Sequence, residues 1–440
     1  MSGPQPSEID VFFARFMALH PKKIDLSLGR MQAILAKLDH PEHLLPPIIH
    51  VAGTNGKGST VAFLRAMLEA AGARVHVYTS PHLVRFNERI RLAGALASDE
   101  QLIAAFKICE QVNRGAPITL FEMTTAAAFL LFSQVQADIL LLEVGLGGRL
   151  DATNVIDPPL ASVITPVSLD HPEFLGNDVA VIASEKAGIV KRGCPVIVGN
   201  QSEVTTRVIE RQAAKMRAPI IVGGQDFSGR VEHGRMVFED EFGLLDLPLP
   251  KLAGRHQISN AATAIAALRK IRPDFPPQAI EAGLLSAEWP ARLQRLRYGK
   301  LEAYAPKGAE LWLDGGHNAD GGRALSEALA DMEEQAPRPL VLICGMLATK
   351  DSNAFLEHFS GLAGELIGVP IKNAQEGAAA SRDMAKIARE LDIPARNAPD
   401  VVTALESLQA RNWPVPPRIL MCGSLYLAGE ILAANGTPPQ

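Results

Sequence analysis

Cysteine is scarce in this 440-residue chain: four residues, at positions 109, 194, 344 and 422, with no Cys-x-x-Cys pair among them. That spacing argues against a disulfide framework and against a cysteine-held zinc site, and it fits a reducing, cytoplasmic setting. A basic excess is missing too. Lys and Arg number 43 against 48 Asp and Glu, a net charge of −5, so nucleic acid is not an expected partner and small anions must be held by local sites. No apolar run reaches the roughly 18–20 residues of a membrane span, and Met1–Asp10 lacks a basic segment followed by an apolar core. No membrane association and no secretory leader are therefore expected. Internal repeats and low-complexity tracts are absent as well.

What is present is a glycine-rich phosphate loop. In Val51-Ala52-Gly53-Thr54-Asn55-Gly56-Lys57-Gly58-Ser59-Thr60 the glycines allow tight bends that bring backbone N–H groups close to phosphate oxygens. An apolar stretch precedes this run and a helical pattern, 61–71, follows, so a helix N-terminus points its positive end at the same place. Lys57 adds a point charge for terminal phosphates, and Ser59 or Thr60 offers a hydroxyl for a phosphate-bound Mg²⁺. The match to the general pattern is irregular: position 51 is Val, and Gly58 separates Lys57 from Ser59. A plain glycine-rich turn with a solvated Lys57 is the alternative on these residues alone.

The length exceeds one ordinary core, so two or more domains are expected. Strand-like apolar runs at 48–51, 75–78, 139–144, 161–164, 196–198 and 220–222 alternate with helical stretches, which predicts a mainly parallel, helix-covered sheet. Between 230 and 249 the period changes to two, predicting inserted antiparallel strands before a helix over 256–271. A second α/β series begins near Lys300, with strands at 311–313, 340–344, 366–369 and 419–422 and helices at about 321–333, 382–391 and 401–411. This suggests an open C-terminal α/β domain. The boundary falls within 289–300, and the division drawn is 1–297 and 298–440.

Polar groups cluster where strands should end, the place at which open α/β sheets assemble ligand sites. Glu143 follows apolar residues and is costly to bury without a cation or metal, so it suits Mg²⁺. The adjoining Gly145–Gly148 run falls short of a dinucleotide fingerprint, because position 150 is Leu. His171, after Asp170, is by its chemistry more natural as a structural residue than as a Mg²⁺ ligand. Lys186 taken alone reads as a surface lysine. Leu313-Asp314-Gly315-Gly316-His317-Asn318 reads either as a nucleotide contact or as a simple turn.

Taken together, these segments resemble the dihydrofolate synthase/folylpolyglutamate synthase family, a branch of the Mur ligases. The motifs run in order along nearly the whole chain: Gly-Thr-Asn-Gly-Lys-Gly-Ser at 53–59, Thr-Ser-Pro-His-Leu at 79–83, Arg-Phe-Asn-Glu-Arg-Ile at 85–90 and Thr-Leu-Phe-Glu at 119–122. They continue with Glu143 through Asn154, Asp170-His171, Glu185 through Ile189, His256 through Ala261, Trp289 through Arg292 and Gly423 through Leu427.

The resemblance implies a fold and a reaction. The fold is a P-loop NTPase-like Mur ligase central domain followed by a smaller Rossmann-like α/β domain. The reaction is ATP-dependent amide formation, joining L-glutamate to dihydropteroate or to a reduced folate through an acyl phosphate. The resemblance also assigns residues. Asn55, Gly56, Lys57, Gly58, Ser59 and Thr60 would hold ATP, joined by Asn260, Arg292, Asp314 and His317, an arrangement that implies domain closure. Two Mg²⁺ sites are implied, one at Ser80 and Glu143 with Ser59 nearby, the other at Glu143 and His171, which reverses the chemical reading of His171. Lys186 matches a lysine that the family carries as a carbamate. Leu28, Phe121, Asp151 and Ala152 are implied for the pterin. Lys57, Glu143, His171 and Lys186 form the implied catalytic set, and the enzyme is expected to be a monomer. Position 316 departs from the family, which usually has Ala there. The competing readings are a monofunctional folylpolyglutamate synthase, a cell-wall Mur-type peptide ligase and a non-catalytic nucleotide-binding regulator.

Overall fold

The computed structural model describes residues 7–22, 24–372 and 381–440. The chain forms two compact units, one of residues 1–82, 86–249 and 259–287, the other of 83–85, 250–258 and 288–440.

The first unit is built on an eight-stranded sheet. Its strands are β1 (Ile48–Ala52), β2 (Val75–Tyr78), β3 (Ile90–Leu92), β4 (Ala95–Leu96), β5 (Ile139–Glu143), β6 (Ala161–Ile164), β7 (Val196–Val198) and β8 (Ile220–Val222), in the spatial order β4-β3-β2-β5-β1-β6-β7-β8. From β2 to β8 the pairings are parallel, and only the β2–β3 and β3–β4 edge is antiparallel. The central strands read as continuous apolar runs because helices cover both faces, and every residue of β1, β5 and β6 is buried. One face packs on an aromatic cluster of Phe12, Phe16, Phe106, Phe129 and Phe132. The same face, over β6 to β8, carries the helices Val179–Ala187 and Glu203–Met216, and the helix Lys57–Ala70 packs on the opposite face.

β1 lies between β5 and β6, so the loops leaving these three strands, together with the loop after β2, gather at one edge of the sheet. The helix Lys57–Ala70 starts directly from the loop after β1, with Gly56 at its N-cap in the left-handed region (φ 85°). The helix Pro277–Ser286 lies hard against it: a side-chain carbon at Gly283 would stand 2.7 Å from the Met67 backbone.

Three further strands, β9 (Ser228–Glu232), β10 (Arg235–Asp240) and β11 (Gly243–Leu247), make the expected antiparallel insertion, with β10 in the middle. It is pinned by a buried ion pair. The Arg269 guanidinium, on the helix Arg255–Ile271, donates to both Asp240 oxygens at 2.8 and 3.0 Å, and each side chain is 7% exposed.

The second unit has a six-stranded sheet of β12 (Gln294–Leu296), β13 (Glu310–Leu313), β14 (Leu340–Cys344), β15 (Glu365–Gly368), β16 (Ala395–Asn397) and β17 (Arg418–Cys422), in the order β12-β13-β17-β14-β15-β16. All pairings are parallel except β12 with β13. Buried apolar clusters cover both faces. The long final segment of this unit begins at Glu288, and β12, which the 297/298 division leaves with the first domain, hydrogen-bonds into this sheet. Neither β12 nor β16 is apolar enough to stand out as a strand in the sequence.

Candidate active site

The loop after β1 takes its shape from what leans on it. Gly53 (φ 150°) lies so close to Thr165 that a side-chain carbon there would run into the Thr165 hydroxyl. Gly56 stands in the same relation to the side-chain oxygen of Asn260. Thr54 and Asn55 donate their amides to the Pro166 carbonyl at 2.9 and 3.2 Å, and the Thr54 hydroxyl donates to Ser168 O at 3.1 Å. The phosphate loop is thus braced by the segment following β6 and by the helix carrying Asn260. Gly58, Ser59 and Thr60 are the buried first turn of the helix Lys57–Ala70.

Two lysines converge on this loop. Lys57 Nζ donates to the carbonyls of Gly53 and Thr54 at 3.1 and 3.3 Å, and Lys186 Nζ donates to Gly53 O at 2.8 Å. Lys186 is 5% exposed, so it is not the surface lysine that its local sequence suggests. Burial, and after it the nearby Lys57 charge, bring its amine down from 10.5 to about 7 against the opposing pull of Asp170 and Asp151.

A small cavity beside the loop is lined by Gly53, Lys57, Gly145, Asp170, His171 and Lys186, among others. Glu143, the last residue of β5, is buried at 4% exposure and accepts from the Ser80 amide at 3.3 Å. Ser80 and Glu143 are therefore neighbours, as expected. His171, with φ 53°, stands at the N-cap of the helix Pro172–Leu175, with ring nitrogens 3.8 Å from Asp170 and 3.7 Å from Glu173.

On the other side of Glu143, Phe121 packs edge-on against Gly145, so closely that a side chain at 145 would displace the ring. Phe121 sits in the first turn of the helix Leu120–Gln134, whose start is a capping box. The Thr119 hydroxyl accepts from the Glu122 amide, and the Glu122 carboxylate accepts from the Thr119 amide. Arg30 Nε joins that carboxylate at 3.0 Å while its Nη1 reaches Asp25 at 2.8 Å. Leu28 is the N-cap of the helix Gly29–Lys37 that carries Arg30.

Asp151 is buried and caps the short 3₁₀ turn Ala152–Val155. Its oxygens accept from Leu146 N (2.9 Å), Thr153 N (3.0 Å) and Thr153 Oγ1 (2.6 Å). Burial raises its carboxyl, with these donors pulling the other way. Asp151 therefore shapes the loop it sits in.

Arg292, Asp314 and His317 belong to the second unit. Asp314, at the end of β13, accepts from the Leu293 and Gly316 amides, both at 2.6 Å, and Arg292 Nη1 donates to Ala291 O at 2.8 Å. His317 Nδ1 lies 2.9 Å from Gly315 O. A side-chain carbon at Gly316 would meet Asp314 Oδ1 at 3.0 Å and Leu325 at 3.1 Å, so an alanine there needs only a slight shift of its neighbours.

Thr165 is not picked out as a site residue by the sequence, whereas Gly53 is read there as a loop glycine and Asp170 as part of the Asp170-His171 motif. Gly53 was legible as the first glycine after a buried strand. Thr165 and Asp170 act through proximity to a loop more than 100 positions away.

Comparison with known proteins shows the family to which the chain belongs. The family model for the Mur ligase middle domain matches residues 51–268, and that for the dihydrofolate synthetase C-terminal domain matches 294–434. The dihydrofolate synthase/folylpolyglutamate synthase of Escherichia coli is 34% identical over 415 residues, covering 94% of this chain and 92% of that protein. The Haemophilus influenzae protein of the same name is 36% identical over 357 residues, covering 79% of each. Among solved structures, E. coli FolC in complex with DHPP and ADP superposes with a TM-score of 0.85 at 32% identity over 98% of both chains. The bifunctional Yersinia pestis enzyme complexed with AMPPNP and Mn ion gives 0.85 at 32% over 99% of both. Among the described residues no helix is long and apolar enough to cross a membrane. The chain belongs to the dihydrofolate synthase/folylpolyglutamate synthase family of ATP-dependent Mur-type ligases.

Proposed function

We propose that this protein joins L-glutamate to dihydropteroate and to reduced folates at the expense of ATP, as a cytoplasmic monomer. The observation that carries the reading is the convergence of Lys57, Lys186, Asp170 and His171 on one cavity beside the phosphate loop. A ligase of this kind must bring two anions together, an acceptor carboxylate and a phosphate chain, and then present an amine to the activated acyl group.

The loop amides and Lys57 are placed to neutralise charge as the terminal phosphoryl group moves to the carboxylate. Glutamate nitrogen then attacks the acyl phosphate, the C–N bond forms, phosphate leaves with the electron pair of the broken C–O bond, and the amine gives up its proton. Asn260, which leans on Gly56, and Arg292, Asp314 and His317 of the second unit are assigned to the nucleotide. Phe121 offers an aromatic face for a flat pterin, with Leu28 and Ala152 alongside. Asp151 is assigned there too, with its carboxylate engaged in shaping the loop.

The donor chemistry fits a hard cation at Glu143, a buried carboxylate at a strand end that accepts from the Ser80 amide. Bound there, Mg²⁺ would screen the phosphate charge. His171 is assigned to a second ion with Glu143. The lowered amine of Lys186 supports its conversion to a carbamate, since only a neutral amine captures CO₂.

The test is mass analysis of products from dihydropteroate, L-glutamate and ATP. A dihydropteroate adduct one glutamate heavier, formed with stoichiometric phosphate release, is expected. Turnover with a tetrahydrofolate acceptor and none with dihydropteroate would move the protein to a monofunctional folylpolyglutamate synthase, the name carried by a Lacticaseibacillus casei relative 36% identical over 359 residues.

A further inference from the structure

The turn that leads into β1 brings together side chains with metal-ligand chemistry, apart from the residues assigned to the ligase site. In His40-Pro41-Glu42-His43, one donor atom from each of His40, Glu42 and His43 lies within 4.8 Å of the others. His40 Nδ1 is 2.8 Å from Glu42 Oε1, His43 Nε2 is 3.9 Å from the same oxygen, and the two imidazoles stack at 5.4 Å. Donors sharing one tetrahedral zinc at about 2.0–2.2 Å stand roughly 3.3–3.6 Å apart, within the range spanned by these two separations.

Glu42 supplies an independent observation. Its side chain is 7% exposed, yet its Oε2 has no hydrogen-bond partner among the described residues. The neighbours of its other oxygen are two imidazoles, which carry no charge unless protonated. A buried carboxylate so placed lacks a fixed cation, and burying an uncompensated charge is unfavourable. A divalent ion held at the Oε1 side of the carboxylate would compensate that charge.

His43 is already oriented for such a role. Its Nδ1 lies 2.9 Å from Asp157 Oδ2, so that nitrogen carries the proton and Nε2 presents its lone pair toward Glu42. The His40 and His43 side chains are about half exposed, at 52% and 54%, which leaves an entry path and room for a water as the remaining ligand.

We propose that His40, Glu42 and His43 form a site for a borderline divalent transition ion of the zinc class, with Asp157 as the positioning residue behind His43. Two imidazoles and one carboxylate favour such an ion over Mg²⁺, which prefers oxygen donors. The bound ion ties the turn before β1, through His43, to the segment that follows Ala152.

The test uses the full-length protein, stripped with chelator and titrated with ZnCl₂ by calorimetry, and with CoCl₂ while the visible d–d absorption is followed. Wild type, His43→Ala, Glu42→Gln, Asp157→Asn and His171→Ala are compared. Expected are the loss of one equivalent of zinc and of the cobalt spectrum in His43→Ala and Glu42→Gln, and binding weakened about 10–100-fold in Asp157→Asn. His171→Ala should keep that equivalent, which separates it from any ion at the ligase site. Zinc should raise the melting temperature of wild type and not that of His43→Ala, whose Mg²⁺-supported ligase activity should be unchanged. His43 is half exposed, so its variant carries the test even if Glu42→Gln folds poorly. Identical zinc isotherms for wild type and His43→Ala, or no zinc bound by wild type at micromolar concentrations, would overturn the proposal.

Discussion

Lys57 and Lys186 share one acceptor: both side-chain nitrogens donate to the carbonyl oxygen of Gly53, at 3.1 and 2.8 Å. Two ammonium groups so placed repel each other, and the more buried one yields its proton more easily. Lys186 is thereby poised near neutrality, with about 7 as its midpoint.

The first prediction concerns carbamylation. The neutral share of Lys186 rises from about one tenth at pH 6 to about nine tenths at pH 8. With ¹³C-bicarbonate, a carbamate carbon resonance should grow over that interval and be missing from Lys186→Arg. A signal of equal size in that variant would dissociate the carbamate from this residue.

Stability should follow the same group in the unmodified protein. The unfolded lysine titrates near 10.5 and the folded one near 7, so between these values the unfolded chain binds more protons and the contribution to stability rises with pH. Below pH 7 the full penalty of burying the amine applies. Urea unfolding in bicarbonate-free buffer from pH 7 to 9 should show a steeper rise for wild type than for Lys186→Met.

Removing charge or donor at the phosphate loop should act on rate. Lys57→Ala and Glu143→Ala are each expected to lower kcat/KM by at least about 10²–10³-fold. Circular dichroism should report an intact fold. Near-normal turnover in either variant would remove that residue from the catalytic set.

Gly56→Ala tests the loop geometry itself. A side chain at φ 85° is strained, and its first carbon would meet the Asn260 amide. A loss of about 1–3 kcal/mol in stability is expected, with weaker ATP binding as the loop is pushed off Asn260. Gly56→Ala in an Asn260→Ala background should recover part of it.

The Arg269–Asp240 pair offers a test far from the chemistry. Arg269→Leu leaves the Asp240 carboxylate buried without its cation, and a loss of about 3–5 kcal/mol is expected in chemical denaturation. The double variant with Asp240→Leu should regain much of this, because the unpaired charge is then gone.

The legibility of these features in the sequence differs by kind. The central strands, such as β5 and β6, were legible because burial on both faces leaves an uninterrupted apolar run. β12 and β16 were not: Gln294-Arg295-Leu296 and Ala395-Arg396-Asn397 are held by pairing along a sheet edge, not by burial. The phosphate loop announced itself through glycine spacing, a local property. Lys186 did not, since its environment comes from the Gly53 carbonyl and from Asp170, brought to it by the strand order. The His40–Glu42–His43 group is compact in sequence, but the burial of Glu42 and the partnership with Asp157 emerge only once the turn is folded.

The junction at Glu122 reaches beyond the helix it starts. A single oxygen, Oε2, receives the Thr119 amide at 2.8 Å, the Thr119 hydroxyl at 2.8 Å and Arg30 Nε at 3.0 Å. The resting place of the neighbouring Phe121 ring is therefore governed from residue 30, on a helix with its own tether at Asp25. Changes at Arg30 or Asp25 can thus shift the Phe121 ring without altering Phe121 itself.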